Sequence, residues 1–281
     1  MARIFMRFPG GKSRAFTLSY DDGFEPDVRL VEILKRFGLK GTFNLNSGIY
    51  GADYTIYSMG KTYRRLDKDS VTKLFAESDM EVAVHGYTHA DMKQLPPSLC
   101  TMEVVNDRIN LERQFHKIVR GMAYADGKFD EDIISCLKSC GIAYARTTIS
   151  TGDFRLPSDW YRLTATCHHG DEYLMDLAHK FVEEEIRKDA RLFFVWGHSY
   201  ELDAGNGWER IEKFAEYVSG KATIWYATNI EIIDYIKAYR ELIFSMDNSL
   251  IHNPTAIEVY FEIDGKNMKI APGETMQIND V

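Results

Sequence analysis

Strand-like and helix-like segments alternate along most of this chain, and the alternation limits the possible folds more than any other feature. Short apolar runs at Ala15–Tyr20, Glu81–His85 and Leu192–Gly197 are typical of buried strands. Amphipathic stretches such as Pro26–Phe37 and Pro97–Phe115 predict the helices that follow strands. About seven such strand-then-helix units predict an α/β fold with a parallel sheet, and they favour a distorted (β/α) barrel, with an open sheet as the alternative.

The pattern changes after Phe244. Two β-rich runs, Ala256–Ile263 and Met268–Ile270, flank a turn at Asp264-Gly265. We therefore predict two units, a barrel over residues 1–245 and a small β-rich appendage over residues 246–281.

Charge and hydropathy exclude several classes of partner. The chain has 34 Lys and Arg against 42 Asp and Glu, a net charge of −8, and it has no basic run, so we expect no nucleic-acid partner. No run of about 18 apolar residues predicts a membrane span. Met1–Arg14 lacks the apolar region of a signal peptide, so the expected location is cytoplasmic by default unless a signal has been removed. The oligomeric state stays open.

Polar side chains capable of hydrolytic chemistry follow three of the predicted strands. Asp21 and Asp22 follow the first, His85 ends another and is followed by His89, and His198 follows a third. In parallel α/β folds the carboxyl ends of the strands form the functional edge, so we expect these groups to meet there. Each group alone is typical of a turn or a surface histidine, but their joint occurrence favours a site.

The residue types in this set are those of a hydrolytic metal centre. His85 and His89 are four residues apart, a spacing that suits one metal ion, and one carboxylate of the Asp21–Asp22 pair can supply a third ligand. Imidazole and carboxylate ligands favour one divalent cation, Zn²⁺ or alternatively Co²⁺, Ni²⁺ or Mn²⁺. Such an ion acidifies bound water, a spare carboxylate can accept the water's proton, and a further histidine can protonate a leaving amine.

Two of these segments resemble the motifs of a known family. Ser19-Tyr20-Asp21-Asp22-Gly23 resembles the first motif of the polysaccharide deacetylases, the NodB-homology or carbohydrate esterase family 4 group. His85-Gly-Tyr-Thr-His89 resembles their second motif, with Gly86 where Ser or Thr is usual. The resemblance implies a distorted (β/α) barrel and metal-dependent removal of N-acetyl groups from a sugar.

The resemblance also implies a role for each residue of the site. Asp21 is the expected general base, and the expected metal ligands are Asp22, His85 and His89. His198, in Trp-Gly-His-Ser, corresponds to the histidine that acts as general acid.

The middle motif of the family is only partly matched. The comparable stretch is Gly121–Gly127, where Ala123 occupies the place of the arginine that orients the base and Arg120 is out of register. We expect the backbone N–H of Tyr124 to serve as an oxyanion donor. Asp159-Trp160 resembles an element that lines the acetyl pocket, so Trp160 is a candidate substrate contact, although a core position is equally compatible with its type.

Three functions remain open at this point. The first is deacetylation of an amino-sugar polysaccharide or glycoconjugate, and the second is hydrolysis of C–N bonds in a small cyclic amide or ureide on the same fold. The third is a non-catalytic carbohydrate-binding protein. A carbohydrate or a small amide is thus the expected partner. His168-His169 is interpreted as a surface loop, because neighbours on a strand point to opposite faces and would not share a ligand.

Overall fold

The computed structural model describes residues 3–57, 59–186 and 188–278, and its elements fall within these ranges. The helices are α1 (Asp27–Arg36), α2 (Lys68–Phe75), α3 (Pro97–Phe115), α4 (Glu131–Ser139), α5 (Leu174–Glu183), α6 (Gly207–Val218) and α7 (Asn229–Arg240). The strands of the first half are β1 (Ile4–Arg7), β2 (Arg14–Asp21), β3 (Thr42–Leu45), β4 (Asp53–Ile56), β5 (Lys61–Arg64), β6 (Glu81–Val84) and β7 (Gly121–Ala123). Those of the second half are β8 (Tyr144–Ser150), β9 (Leu163–Ala165), β10 (Cys167–His168), β11 (Arg191–Gly197), β12 (Ile224–Tyr226), β13 (Ile243–Phe244), β14 (Leu250–His252), β15 (Val259–Ile263), β16 (Lys266–Ile270) and β17 (Thr275–Gln277).

The parallel sheet runs in the order β10, β11, β2, β3, β6, β7, β8, β9, and β12 also pairs with β2. Its two end strands are consecutive in the chain: β9 pairs with β8, and β10 pairs with β11. The extended stretch 163–168 therefore joins the two edges, with the Thr166 N–H donating to the Phe194 carbonyl at 2.8 Å between them. The predicted distorted (β/α) barrel is confirmed.

Strand β2 lies at the centre of this sheet because its sequence is suited to burial on both faces. All eight of its residues are buried, and Phe16 and Leu18 pack in the core between sheet and helices. The helices cover the sheet with apolar faces, such as the one that α1 forms with Leu30, Val31 and Leu34. A strand buried on both faces is what a parallel sheet covered by helices requires.

The C-terminal segment is β-rich, as its sequence predicts. Strand β15 pairs with β16 and also, antiparallel, with the N-terminal strand β1, while β13, β14 and β17 form a second small sheet. Val259, Phe261 and Ile263 are buried and pack in one cluster with Ala238 and Leu242, at and just after the end of α7. Residues 279–281 of the predicted appendage lie outside the described residues, and the division near residue 245 stays a prediction.

A β-hairpin formed by β4 and β5 interrupts the strand–helix alternation between β3 and α2. Its base is held to the loop after β2, because the Leu66 N–H donates to the Gly23 carbonyl at 2.8 Å and the Glu25 N–H donates to the Arg64 carbonyl at 3.0 Å. The hairpin thus extends the carboxyl edge of the barrel. Within the described ranges, no helix has the length and apolar character that crossing a membrane requires.

Candidate active site

The five candidate residues lie together at the carboxyl edge of the barrel. Asp21 ends β2, His85 directly follows β6 and His198 directly follows β11, and these strands occupy one continuous part of the sheet. With Asp22 and His89 they line an open cavity of about 500 Å³. The turn that carries Asp22 requires a left-handed backbone, with φ of 80° at Asp22, and His89 has φ of 58°. Non-glycine residues in this region are uncommon and often occur at functional sites.

Asp22, His85 and His89 converge in a way that fits one metal ion. Asp22 Oδ1 lies 3.4 Å from His89 Nε2 and 3.9 Å from His85 Nε2. Ligand atoms that share a four-coordinate ion at about 2.0–2.1 Å lie roughly 3.4 Å apart, so a small contraction brings these three atoms into bonding range. Burial lowers the pKa of His85, and its Nδ1 is 2.9 Å from the Ala123 carbonyl. A neutral ring that donates from Nδ1 directs the lone pair of Nε2 toward Asp22.

The His85–His89 loop is fixed by side chains from neighbouring elements. Asp107 on α3 accepts from the backbone N–H of His85 at 3.0 Å. Glu103, one turn earlier, accepts from both the N–H and the hydroxyl of Thr88 at 2.8 Å. Burial raises the pKa of Asp107 to about 7 even though it accepts hydrogen bonds. These contacts position both imidazoles before any ligand arrives.

Asp21 is held by residues other than Asp22, His85 and His89. One of its oxygens forms an ion pair with the fully buried Arg146, and the other accepts from Asn44 Nδ2 at 2.8 Å. Burial alone would raise its pKa, but the charge of Arg146, followed by those of His85 and His198, lowers the pKa of Asp21 to about 2. The carboxylate is therefore ionised and oriented.

Arg146 supplies the guanidinium that is missing at Ala123, the position where the family's arginine is expected. Strands β7 and β8 pair in parallel, and their register places Ala123 directly beside Arg146. The guanidinium thus reaches the Asp21 carboxylate from the adjacent strand at the same level of the barrel. Its side chain also lies under Trp196, with Cζ 4.7 Å from the ring centroid. The signal missed in the sequence was an arginine within the otherwise uncharged run of β8.

A second buried arginine contacts Asp22 of the candidate metal-ligand triad. Arg65 Nη2 lies 3.1 Å from Asp22 Oδ1, and only about 5% of the Arg65 side chain is exposed. Its guanidinium packs against the Phe24 ring at 4.6 Å and the Tyr54 ring at 5.4 Å. Sequence reasoning did not identify Arg65, because it follows the hairpin rather than a strand of the barrel.

His198 is oriented by Glu201, which belongs to the turn that follows it. His198 Nδ1 is 3.2 Å from Glu201 Oε1, while Nε2 points toward Asp21 and Asp22 at 3.8 and 3.9 Å. Burial alone would lower the pKa of His198, but the hydrogen bond to Glu201 and the charges of Asp21 and Asp22 raise it to about 9. The imidazole therefore carries a proton at neutral pH in this structure.

The interpretation of His168-His169 as a surface loop is wrong. Nε2 of each ring lies 3.0 Å from Glu201 Oε2, because the peptide turns after β10 and brings both rings to the same side. His169 is buried, and its Nδ1 is 3.0 Å from the Tyr20 hydroxyl. Burial alone would raise the pKa of Glu201, but hydrogen bonds from the three imidazoles lower it well below its usual range.

Asp27, at the start of α1, adds a buried carboxyl group behind the site. It is fully buried, and neither oxygen has a hydrogen-bond partner among the described residues. Burial, with a smaller contribution from the charges of Asp22 and Asp21, raises the pKa of Asp27 to about 8. The group is thus neutral at neutral pH and adds no negative charge behind Asp21 and Asp22.

The two predicted substrate contacts have other roles in this structure. The Tyr124 N–H donates to the Arg146 carbonyl at 3.0 Å as part of the pairing of β7 with β8, so it is not free to act as an oxyanion donor. The ring of Tyr124 does line the cavity. Trp160 packs against Lys237 and Arg240 of α7, with cation-to-ring distances of 5.5 and 4.9 Å, away from the cavity.

Aromatic residues from other elements line the cavity instead. Trp196 is the penultimate residue of β11, and Tyr200 packs on His198 with ring centroids 5.1 Å apart. From the hairpin, Tyr54 and Tyr57 complete the rim, with 49% and 91% of their surface exposed. A cavity with an aromatic rim and a charged floor suits a polar ligand that has flat faces, such as a sugar ring.

Comparison with known proteins agrees with this arrangement. The model of the polysaccharide deacetylase family matches residues 9–145, a stretch that contains Asp21, Asp22, His85 and His89 and ends directly before Arg146. No curated protein matches the chain significantly.

Solved structures show the same fold at low identity. A protein from Mycobacterium smegmatis assigned as a polysaccharide deacetylase is 13% identical with a TM-score of 0.56, and the match covers 83% of this chain and 93% of that one. A family 4 carbohydrate esterase from Streptomyces lividans, in complex with acetate, is 16% identical with a TM-score of 0.51, over 76% and 92%. A mutant CE4-family pseudoenzyme from Bacillus anthracis with restored activity is 17% identical with a TM-score of 0.52, over 82% and 70%.

Proposed function

We propose that this chain is a metal-dependent hydrolase that removes N-acetyl groups from an amino-sugar polysaccharide or glycoconjugate, on the basis of the polysaccharide deacetylase family model that matches residues 9–145. The observation that carries the proposal is the position of Asp21 in the site. It lies beside the Asp22–His85–His89 triad yet is held by Arg146 and Asn44. A carboxylate oriented in this way is free to act as a base.

The metal-binding part of the site is the triad of Asp22, His85 and His89. When bound there, a divalent cation, by the ligand types most readily Zn²⁺, supplies a Lewis acid that acidifies water and polarises the acetyl carbonyl. Asp107 and the Ala123 carbonyl hold His85 in the required orientation. Such outer contacts commonly change metal affinity by 10–100-fold when they are removed.

The protein residues move the protons of the reaction. Asp21 accepts a proton from the attacking water, and Arg146 and Asn44 hold its carboxylate in place. Nε2 of His198 faces the cavity and donates a proton to the sugar nitrogen as its bond to the acetyl carbon breaks. Glu201 fixes the ring through Nδ1. The products are acetate and a free amine.

The aromatic rim is the proposed binding surface for the sugar. Tyr54 and Tyr57 on the hairpin, with Tyr200 and Trp196 on the barrel, surround the opening of the cavity. Aromatic faces of this kind bind the apolar faces of sugar rings. The cavity is open to solvent at this rim, which suits a ligand that extends beyond one ring.

Two substitutions test the proposal because they separate metal binding from proton transfer. We expect Asp21→Asn to lose at least about 100-fold in kcat and to retain the metal, since general-base catalysis supplies about 10²–10⁴-fold. We expect His89→Ala to lose metal and activity together. Acetate release from N-acetylated sugar oligomers and elemental analysis of the purified proteins give the two readouts. His179→Ala, a change of an exposed histidine on α5, is the control.

The same assay separates the alternative functions. Turnover of small cyclic amides without release of acetate from sugar oligomers would show that the protein is a metal-dependent hydrolase of cyclic amides and not a sugar deacetylase. Binding of oligomers without any turnover by the metal-loaded protein would indicate a carbohydrate-binding role. Full activity of Asp21→Asn would contradict the role given to this residue.

A further inference from the structure

Glu201 and the histidines around it form a second cluster of metal-ligand types, separate from the Asp22–His85–His89 triad. One ligand atom from each of His168, His198 and Glu201 lies within 4.8 Å of the others. We propose that these three residues form a second, weaker zinc site, and that zinc bound there inhibits the enzyme. The inhibition rests on the proposed function of His198, but the binding does not.

The distances within the cluster suit a shared ion. His168 Nε2 is 3.0 Å from Glu201 Oε2, and His198 Nδ1 is 3.2 Å from Glu201 Oε1. These two separations, each to a different oxygen of Glu201, are close to the roughly 3.4 Å expected between ligands of a tetrahedral zinc ion, and the ligand atoms of the three residues lie within 4.8 Å of one another, so a small contraction around an ion would complete the set. Two imidazoles and one glutamate are a ligand set that zinc takes in catalytic sites, with the fourth position left for water.

The orientation of His198 alone does not account for the cluster. One carboxylate oxygen near Nδ1 is enough to orient that ring, yet Glu201 also contacts His168 and His169. His169 is buried and is held by the Tyr20 hydroxyl, so it supports Glu201 from behind. The side chains of His168 and Glu201 are 29% and 31% exposed. An ion from solvent can therefore reach them.

Protons compete with zinc for this cluster. Gly170 donates its N–H to His168 Nδ1 at 3.0 Å, so the proton of that ring is on Nε2, where it is shared with Glu201. A zinc ion takes the place of that proton and of the Nδ1 proton of His198, and both protons pass to solvent. The site is weaker than the triad because its side chains are less enclosed: His168 and Glu201 are 29% and 31% exposed, against 2% and 7% for His85 and Asp22.

Occupation of this site removes the general acid. Zinc bonded to Nδ1 of His198 prevents the ring from existing as an imidazolium, so Nε2 can no longer deliver a proton to the leaving nitrogen. The same ion takes the charge of Glu201, whose Oε1 otherwise lies 3.2 Å from Nδ1 of the ring. Inhibition by excess zinc follows without any change at the triad.

The test uses His168→Gln, because glutamine places an amide N–H near the position of Nε2 and can still donate to Glu201. His179→Gln, on an exposed histidine of α5, is the matched control. Equilibrium dialysis of the metal-loaded enzyme against rising zinc, with elemental analysis, should give two equivalents per chain for the wild type and for His179→Gln. His168→Gln should bind one. Inhibition of His168→Gln should require a zinc concentration at least tenfold higher than inhibition of the wild type.

Variants of the triad make the result independent of the proposed function. In a His89→Ala protein one equivalent of zinc should remain, and it should be lost in His89→Ala/His168→Gln. The inference is overturned if the wild type binds a single equivalent, or if His168→Gln still binds two. If the wild type binds two equivalents of zinc but has no deacetylase activity, the second zinc site stands and only the proposed function is contradicted.

Discussion

Charged side chains are buried beside the candidate active site, and each depends on a particular partner. Asp21 and Arg146 are 3% and 0% exposed and are paired with each other. Arg65 is paired with Asp22, which is also nearly inaccessible. A buried charge that loses its partner is strongly destabilising, whereas loss of both partners together often costs little. These pairs are therefore suited to tests in which one or both partners are replaced.

Replacement of Arg146 tests its pairing with Asp21. We expect Arg146→Met to lower the free energy of unfolding by about 3–5 kcal/mol at pH 7, because it leaves the Asp21 charge buried without its cation. The double variant Asp21→Asn/Arg146→Met should regain most of this loss. Urea unfolding of the metal-free proteins provides the comparison. Additive losses in the double variant would show that the two side chains are not coupled.

The raised pKa of Asp27 makes the free energy of unfolding fall as the pH rises. Its folded-state pKa is raised to about 8 from an ordinary value of 3.8, so between these values the folded protein retains a proton that the unfolded chain has lost. The wild type is therefore fully stabilised below pH of about 4 and loses stability as the pH rises to about 8. Asp27→Asn removes this loss.

The expected result is an advantage for Asp27→Asn that grows with pH. Near pH 4 the two proteins should unfold at similar urea concentrations, and at pH 8 the variant should be more stable by on the order of 5 kcal/mol, since roughly four pKa units at about 1.4 kcal/mol each separate the folded and unfolded states. Asp176→Asn, at an exposed position on α5, is the control. A constant difference across the pH range would mean that Asp27 is ionised in the folded protein.

At the scale of elements, the hairpin β4–β5 determines the shape of the cavity opening. It is tied to the loop that carries Asp22 through the contacts of Leu66 with Gly23 and of Glu25 with Arg64. It also supplies aromatic side chains to the rim. An exposed tyrosine at the tip has no packing role that would explain its type, so a contribution to ligand binding is the simplest reason for it.

Tyr57→Ser tests this contribution to sugar binding. Loss of one stacking contact of about 0.5–1.5 kcal/mol corresponds to a rise in KM of roughly 3–10-fold. We expect kcat to change little, since Tyr57 lies at the rim and does not contact Asp21 or His198. Tyr173→Ser, at another exposed tyrosine, should leave both constants unchanged. An unchanged KM for Tyr57→Ser would exclude the hairpin tip as a binding surface.

At the scale of the whole molecule, the two ends of the chain are joined to each other and to the barrel. Strand β1 pairs with β15, and the Arg7–Glu262 ion pair at 2.7 Å lies across this pairing. Phe261 is fully buried in a cluster that includes Ala238 and Leu242. The C-terminal segment therefore shares its core with α7 and the region directly after it.

Phe261→Ala shows whether the C-terminal segment unfolds together with the barrel. Removal of this ring should lower the free energy of unfolding by about 3–5 kcal/mol and shift the midpoint of a single cooperative transition to a lower urea concentration. Fluorescence reports the barrel, because all four tryptophans lie between residues 160 and 225. A separate early transition, with the tryptophan signal unchanged, would show that residues 246–281 unfold independently.

The sequence determined the fold class and the core of the candidate site. The alternation of strands and helices predicted the barrel, and the positions of Asp21, Asp22, His85 and His198 at strand ends placed them at one edge. Such features are local, because periodicity and strand ends can be read from neighbouring residues alone. His89 belongs with them through its spacing from His85.

Only the tertiary structure decided which residues surround that core. The pairing of β7 with β8 brings Arg146 to the place left by Ala123, and it also occupies the Tyr124 N–H. The turn after β10 brings His168 to Glu201, some 30 residues later in the chain. These contacts depend on strand register and on loops that return to the same edge. Their partners are distant in sequence, so no local pattern reveals them.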